Sequence, residues 1–372
     1  MPPAVDLTWR QVRRWRIRRQ LLLSPAPSAV EAARALGGIH AQVTSCSALI
    51  AGIRCGGPPD LASGLVRTWA ARGTLHLLPA DELDLWVGAL TARDARRRFP
   101  PSWEREHGVT AAQLHAVTDA IGAVLGATPL TRAGLADAVV AHLGDPAIAG
   151  PLSTGWGALL KPAAARGLLC SGPPTDDGTV TFVSPAARLG RPLDPLPAGE
   201  AERAVLLRFL AANGPATAVD VGRWWGEQPA PAKRTIRAAG DAVTAVTVAG
   251  EAGYVVRTTD VDELAAVPDG GTDPADAPLL LPGFDPWVIA PLSHRTRAIP
   301  DGRTAEVSRT AGWISPVLVV DGRVAGVWEH DGPALTVRPF APLPAATRQG
   351  VERAAQRYGP LLGAGSVDVT WA

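Results

Sequence analysis

The chain has 372 residues, 47% of them hydrophobic, which is enough for two or three structural units with substantial cores. Charged residues make up 19% and the formal net charge is only +1, which excludes a protein that holds nucleic acid by bulk positive charge. The three cysteines, Cys46, Cys55 and Cys170, form no C-x-x-C and the seven histidines show no zinc spacing, which excludes a zinc module and a disulfide framework. No metal and no cofactor are expected. With no signal-peptide h-region and no apolar run near 18 residues, a cytoplasmic protein with no membrane partner is expected.

The chain opens with a predicted helix over residues 7–23, ended by Pro25 and Pro27. Ser28-Ala-Val-Glu31 has the form of a capping box and starts a second helix over 29–36. Gly37-Gly38 breaks that pattern before Ile39-His-Ala-Gln42, and a third helix is predicted over 45–52. Residues 60–69 read as helix, 73–78 as strand and 81–97 as helix.

The middle of the chain repeats a pattern. Helices over 110–125, 131–143 and 156–166 are followed by strand, turn and strand up to Val183. Helices over 200–213, 216–225 and 230–239 are followed by strands over 243–248 and 254–257. Helix, helix, helix, strand, turn, strand is the order of a winged helix, and two copies in series strengthen it. The N-terminal segment reads as a third, degenerate copy.

Beyond residue 278 the pattern turns to β, after a loop at 268–277. Strands are predicted over 279–282, 287–290, 312–320, 324–328, 335–340 and 367–371, with a helix over 345–358. Asp321-Gly322 marks a tight hairpin turn. The predicted fold is α+β: tandem winged-helix motifs with a C-terminal β-sheet or barrel, forming a concave DNA-binding channel. Its regions are 1–105, holding the candidate catalytic motif, then 106–195, 196–262 and 278–372.

Several segments together resemble one family. They are Gly38-Ile-His-Ala-Gln42, Arg67-Thr-Trp-Ala-Ala-Arg-Gly-Thr-Leu-His76, Leu281-Pro-Gly-Phe-Asp-Pro-Trp287, Trp313-Ile-Ser-Pro-Val317 and Val320-Asp-Gly-Arg-Val-Ala-Gly-Val-Trp328. In order and spacing the chain is similar, over nearly its whole length, to the winged-helix DNA glycosylases of the AlkZ/YcaQ type, which include the azinomycin-resistance glycosylases. The resemblance implies hydrolysis of the N-glycosidic bond of bulky N7-alkylated purines, with unhooking of interstrand crosslinks and self-resistance to a genotoxin. It also implies a catalytic motif of Gln-aliphatic-Gln, or one ending in Asp. Here the matching positions are His40, Ala41 and Gln42, so His replaces the first Gln.

Such chemistry needs a placed water and a negative dipole near the sugar. The Gln42 carbonyl can accept from that water, and a neutral His40 imidazole can take its proton. In an extended stretch residues 40 and 42 point the same way; in an unbroken helix they diverge by about 200°. A histidine in an apolar stretch is more often simply packed. Thr44 and Ser45 are candidate water or phosphate ligands, and Asp285 either supports the site or caps its own turn.

Candidate DNA contacts are Arg72 and His76 by the 73–78 strand, Lys161, Lys233 and Arg234 on the predicted recognition helices, and His294, Arg295, Arg297 and Arg303 in a basic connection. Arginine also crowds residues 10–19 and 93–105, and such faces are usually just solvated. The expected partner is duplex DNA carrying alkylated purines, bound by a monomer, since no coiled-coil seam is visible. Lys161 and Lys233 are the chain's two lysines, which argues against a Schiff-base lyase step. The alternatives are a non-catalytic DNA-binding protein, either regulator or lesion binder, and a protein-interaction scaffold.

Overall fold

The structure, a computed structural model, describes residues 5–153, 157–289 and 291–372. Backbone packing divides it into two units. One comprises the chain up to Ser63 together with Leu206–Ala372; the other is Gly64–Val205.

The first unit begins with a short strand, β1 (Asp6–Leu7), parallel to Val243–Val248. Helix α1 (Trp9–Arg19) follows at once, because Thr8 and Gln11 form a reciprocal capping box. Val12, Trp15 and Ile17 bury its apolar face. Its arginines are not a solvated stripe. Arg14 is buried and binds Asp276 and the carbonyls of Pro268, Gly270 and Gly271. Arg18 pairs with Asp273, and Arg16, fully buried, donates to the carbonyls of Asn213, Gly214 and Pro215. The 268–277 segment, predicted as a loop, is thus anchored on the helix.

Helix α2 (Ala29–Leu36) starts where Ser28 Oγ accepts from Glu31 N. The Glu31 carboxylate turns to Arg34. Gly37, in the left-handed region at φ +67°, ends the helix, and Gly38 follows at φ +98°. A two-residue strand, β2 (Ile39–His40), leads to helix α3 (Thr44–Cys55).

Later in this unit, the part of helix Ala198–Asn213 from Leu206 onward and helices Ala218–Trp225 and Pro229–Ala238 precede a hairpin of Val243–Val248 and Glu251–Arg257. From this group Leu206, Phe209, Leu210, Ala216, Val221 and Ala232 share one apolar core.

The C-terminal part is an open five-stranded sheet rather than a barrel. Its strands run Leu279–Leu281, Val317–Val320, Arg323–Asp331, Ala334–Pro339 and Asp368–Trp371 in spatial order, antiparallel except for the last pair. The two outer strands do not meet, so the barrel alternative is set aside. Helix Ala345–Ala355 covers one face through Val351 and Ala355. Trp328 Nε1 and Tyr358 OH donate to the carbonyls of Leu281 and Leu280 at 2.9 and 2.8 Å, which lets both aromatics be fully buried. Two predicted strands differ. Residues 286–289 form a helical turn, started by Pro286, and Ala290 lies outside the described residues. In 312–320 only Val317–Val320 is strand.

In the second unit, residues predicted as helix over 60–69 instead end in strand β3 (Leu65–Trp69), which forms a hairpin with β4 (Leu75–Pro79). Its Leu-Val-Arg-Thr-Trp sequence alternates with β-branched and aromatic residues, and β4 offers it a partner, so tertiary pairing decides. Helices Ala111–Val124, Arg132–Leu143 and Lys161–Ala165 surround a core of Leu114, Val117, Ile121, Leu135 and Val139, beside a small sheet of Leu130–Thr131, Thr181–Val183 and Cys170–Ser171. Trp156, the predicted start of the third helix, lies outside the described residues. Pro101–His107 and Ala149–Ser153 add two helices that the sequence pattern missed. No helix of the described residues is long and apolar enough to cross a membrane.

Gly88 lies on helix Leu83–Asp94, where a Cβ would sit 2.4 Å from the Leu196 carbonyl oxygen and 2.9 Å from Ala201 Cβ. Gly88→Ala is expected to cost about 1–3 kcal/mol through overpacking. Gly199→Ala, in helix Ala198–Asn213 with nothing within 4 Å of the new methyl, is expected to be neutral or to gain up to about 1 kcal/mol. Urea midpoints of the two variants check the contrast.

Candidate active site

The left-handed Gly37 settles the local geometry of the candidate motif: α2 ends there, and His40 enters an extended backbone rather than a continuing helix. The two polar side chains then part company. His40 is only 4% exposed, whereas Gln42 is exposed just ahead of α3. The His40 ring lies flat on Phe284, with centroids 5.0 Å apart and planes 4° from parallel. Phe284 in turn meets the Trp313 indole edge-on at 5.1 Å. Trp313 is 44% exposed, so a line of three rings runs from the buried histidine to the surface.

Each member is held by backbone geometry. Phe284 adopts φ +59°, a left-handed conformation that costs a side-chain-bearing residue about 1–2 kcal/mol. Gly283 beside it admits no side chain without a shift, since a Cβ there would lie 3.0 Å from the Ile314 carbonyl oxygen and 3.3 Å from Cys46 Sγ. Trp313 is fixed by a tight loop: its carbonyl accepts from Arg309 N at 2.8 Å, and Ser308 bridges to Ile314. Segments from 38–46, 282–287 and 313–316 therefore converge, although they are far apart in sequence.

Under this convergence lies an ion pair with both side chains at zero exposure. Arg54 Nη1 and Nη2 donate to Asp285 Oδ2 and Oδ1 at 2.8 and 3.0 Å. Arg54 also donates to the carbonyls of Gln20 and Ile50, and Asp285 Oδ1 accepts from Trp287 N at 2.9 Å. The Asp285 carboxylate is thus committed to Arg54 and to its own turn. It ties α3 to the turn that carries Phe284, and direct contact with a substrate is excluded in this conformation. The sequence weighed turn capping for Asp285 but gave no sign of Arg54, because 231 residues separate the partners.

Residues 33–361 match the family described as DNA glycosylase AlkZ-like. The chain belongs to the AlkZ-like DNA glycosylase family. It is 35% identical, over 97% of its length and 98% of the relative's, to the interstrand DNA cross-link repair glycosylase of Streptomyces sahachiroi. It is likewise similar to the solved structure of Streptomyces sahachiroi DNA glycosylase AlkZ, with a TM-score of 0.88 and 34% identity over 99% of this chain and 100% of that one. The three converging segments are among those on which the likeness was read from sequence. The chain is therefore a DNA glycosylase, a hydrolase of N-glycosyl bonds.

In this AlkZ-like chain the other candidate residues fall into distinct settings. Thr44 and Ser45 are exposed in the first turn of α3, whose N-terminus has no side-chain cap. His294 does not fit its expected place on DNA. It is 1% exposed, packed edge-on against Trp287 at 4.5 Å, and neither ring nitrogen has a hydrogen-bond partner among the described residues. Burial, then Arg16 and Arg13, push its pKa well below the usual histidine value. His76 is enclosed too, at 4% exposure, with Nδ1 2.9 Å from the Thr74 carbonyl. Neither ring can reach a phosphate as placed.

Arg297 and Arg303 are neutralised by Glu251 and Glu306, at 2.6 and 2.7 Å. Arg295 is half-buried, with its pKa lowered by burial and by Arg223. Lys233 and Arg234 are exposed on helix Pro229–Ala238. In the second unit Arg72 sits at φ +55° beside Gly73, and a Cβ on Gly73 would lie 3.5 Å from Lys161 Cδ. Lys161 has its pKa lowered by burial and by Arg97 and Arg93. Among the described residues no group of three His, Cys, Asp or Glu side chains is placed to hold a metal ion. Phe284 and Trp313 were legible as motif letters but not as site members, because only the fold stacks them.

Two outcomes follow. Asp285→Ala should cost about 3–5 kcal/mol by leaving Arg54 charged and buried, while replacing both partners by Met should recover much of that loss; denaturant unfolding of the three proteins measures it. His294 is neutral when folded but takes up a proton when unfolded below about pH 6.5. Its contribution is therefore complete above that pH and lost as pH falls, by up to about 1.4 kcal/mol per unit. His294→Leu should flatten the fall in unfolding free energy between about pH 6.5 and 5, compared with wild type.

Proposed function

We propose that this glycosylase hydrolyses the N-glycosidic bond of bulky N7-alkylated purines in duplex DNA, without a lyase step, and that it unhooks interstrand crosslinks, in keeping with its Streptomyces relative, which is named as an interstrand cross-link repair glycosylase. The observation that carries the reading is the line of rings from His40 through Phe284 to the exposed Trp313, with Gln42 open to solvent nearby in sequence. An N7-alkylguanine is cationic, and an exposed indole face attracts a cation by its quadrupole, worth about 0.5–2 kcal/mol. An unmodified guanine lacks that charge, so the same face favours the damaged base.

The reaction asks little of the protein. Water adds to the sugar C1′, the C1′–N9 bond breaks, its electron pair neutralises the departing cationic base, and the proton that the added water sheds passes to bulk solvent, or to His40 where that residue is the base. The Gln42 carbonyl accepts a hydrogen bond from that water and turns a negative dipole toward the developing oxocarbenium ion. The burial of His40 beneath Phe284 favours a positioning part for the imidazole, with proton transfer to the water as the alternative role. Thr44 and Ser45, exposed in the first turn of α3, bind water or a flanking phosphate on this reading. The chain has two lysines, Lys161 and Lys233, and neither belongs to this motif, which supports hydrolysis rather than Schiff-base chemistry.

On the same reading, the two sets of three helices followed by strands are winged helices, and the regions 1–105, 106–195, 196–262 and 278–372 each contribute to a DNA channel. Arg72, Lys161, Lys233, Arg234 and Arg295 are the proposed phosphate contacts. A monomer acting in the cytoplasm, and giving self-resistance to a genotoxin, completes the proposal.

The test is duplex DNA carrying a defined N7-alkylguanine, with release of the modified base and of an abasic site measured in single turnover. Gln42→Ala should slow excision about 10²–10³-fold with DNA affinity largely kept, the size seen when one transition-state dipole is lost. His40→Asn should slow it by a smaller factor if positioning is its part, and by up to about 10⁴-fold if it is the base. Wild type that binds the adduct and releases nothing would instead identify a lesion binder.

A further inference from the structure

Six arginines lie on α1, and five are answered by acceptors. Arg10, Arg14 and Arg18 meet Asp276 or Asp273, Arg16 meets three carbonyls, and Arg19 meets the Ala211 carbonyl and Glu263. Arg13 is the exception. Among the described residues its guanidinium makes no ion pair and no hydrogen bond, and its Nε is buried without a partner. Its stem is pinned under the hairpin turn, since a Cβ on Gly322 would lie 2.8 Å from Arg13 Cβ and 3.0 Å from Cδ.

The next residue of that turn, Arg323, also makes no ion pair among the described residues, and it faces the same cavity of about 360 Å³. The rest of the lining includes Trp9, Thr296, Arg297 and Asp301. Arg297 lies 4.6 Å over the Trp9 ring and is held by Glu251, so it forms a fixed wall. Burial, then Arg323 and Arg10, bring the Arg13 pKa down to about 10, against weaker pulls from Asp321 and Asp276.

Two like charges brought together, one of them half-buried, oppose folding unless an anion joins them. Neighbouring carboxylates were available to α1, as its other arginines show, yet none is spent here. We propose that the Arg13–Arg323 cavity is a phosphate-binding site, in which the two unpaired guanidiniums take a phosphate group by charge-assisted hydrogen bonds. Asp301, the carboxylate of the lining, opposes the anion and lies on the exposed side. The site is separate from the excision chemistry. Only its assignment to a phosphate of a DNA strand, rather than to a small phosphate anion, rests on the glycosylase reading.

The experiment uses full-length protein as wild type, Arg13→Gln, Arg323→Gln, the double variant, and Arg348→Gln as a charge control away from the cavity. One arm measures affinity for undamaged duplex DNA across about 50–200 mM salt. The other measures thermal stabilisation by inorganic phosphate and by pyrophosphate, against chloride at equal ionic strength. Loss of one phosphate contact lowers the slope of log affinity against log salt by about 0.9. A shallower slope in the Arg323 and double variants, absent in the control, supports the site with DNA as its phosphate source. Phosphate stabilisation lost in those variants, with the slope unchanged, supports it with a small phosphate anion as the source. If all five proteins share one slope and phosphate stabilises none of them beyond chloride, the proposal is overturned. The exposed Arg323 keeps the test open should Arg13→Gln fail to fold.

Discussion

The buried pairing of Arg54 with Asp285 is the constraint on which the site rests. Taking two charges out of water carries a penalty of several kcal/mol per ion, and their mutual attraction offsets it only when the remaining donors and acceptors are filled. Here they are: Arg54 reaches two carbonyls besides the carboxylate, and Asp285 also holds the amide of Trp287. The pair joins the helix that follows Gln42 to the turn that begins at Pro282. Phe284 immediately precedes Asp285, so fixing the carboxylate also fixes the ring that covers His40. A candidate site assembled from loops gains its rigidity in this way from a charge pair that is itself closed to solvent.

This arrangement gives a physical reason why histidine fits the position for which the resemblance implied glutamine. The position lies under an aromatic ring, parallel to it and almost closed to solvent. A planar imidazole fills that slot by stacking. The position thereby fixes the backbone that leads to Gln42, the residue that stays exposed. The strained φ of Phe284 belongs to the same device: a left-handed residue turns its side chain back across the motif, and the ion pair one residue later holds it there.

Much of the fold was legible in the sequence because local chemistry and tertiary contact agree. The Ser28 cap, the Gly37 break and the Asp321-Gly322 turn all lie where their residue types demand. The misreadings came where contact overrides local pattern. Residues 65–69 pass for helix until β4 pairs with them, and residues 287–289 pass for strand until Pro286 starts a helical turn. At the site, the letters of the motif were visible but the ring stack and the Arg54–Asp285 pair were not, because each joins segments more than 200 residues apart. The arginines of α1 were the hardest to read. Sequence places them on a helix, and only the folded 268–276 segment shows that they point into carboxylates and carbonyls.

That internal use of arginine explains how a nearly neutral chain can be fitted for a polyanion. The net charge of +1 averages two populations. One is paired with carboxylates, in buried or part-buried settings as with Arg14, Arg18 and Arg54 and at the surface as with Arg297 and Arg303, and adds little to the outward field. The other, including Lys233, Arg234 and Arg237 on an exposed helix face and the Arg13–Arg323 pair at a cavity, carries no carboxylate partner among the described residues. Phosphate contacts depend on local charge within about a Debye length, roughly 8–10 Å, and not on the sum over the surface. A handful of unanswered guanidiniums can therefore set where a backbone phosphate rests while the remaining surface stays electrically quiet. Such a protein gains position from its few contacts and avoids the indiscriminate binding that a uniformly basic surface brings.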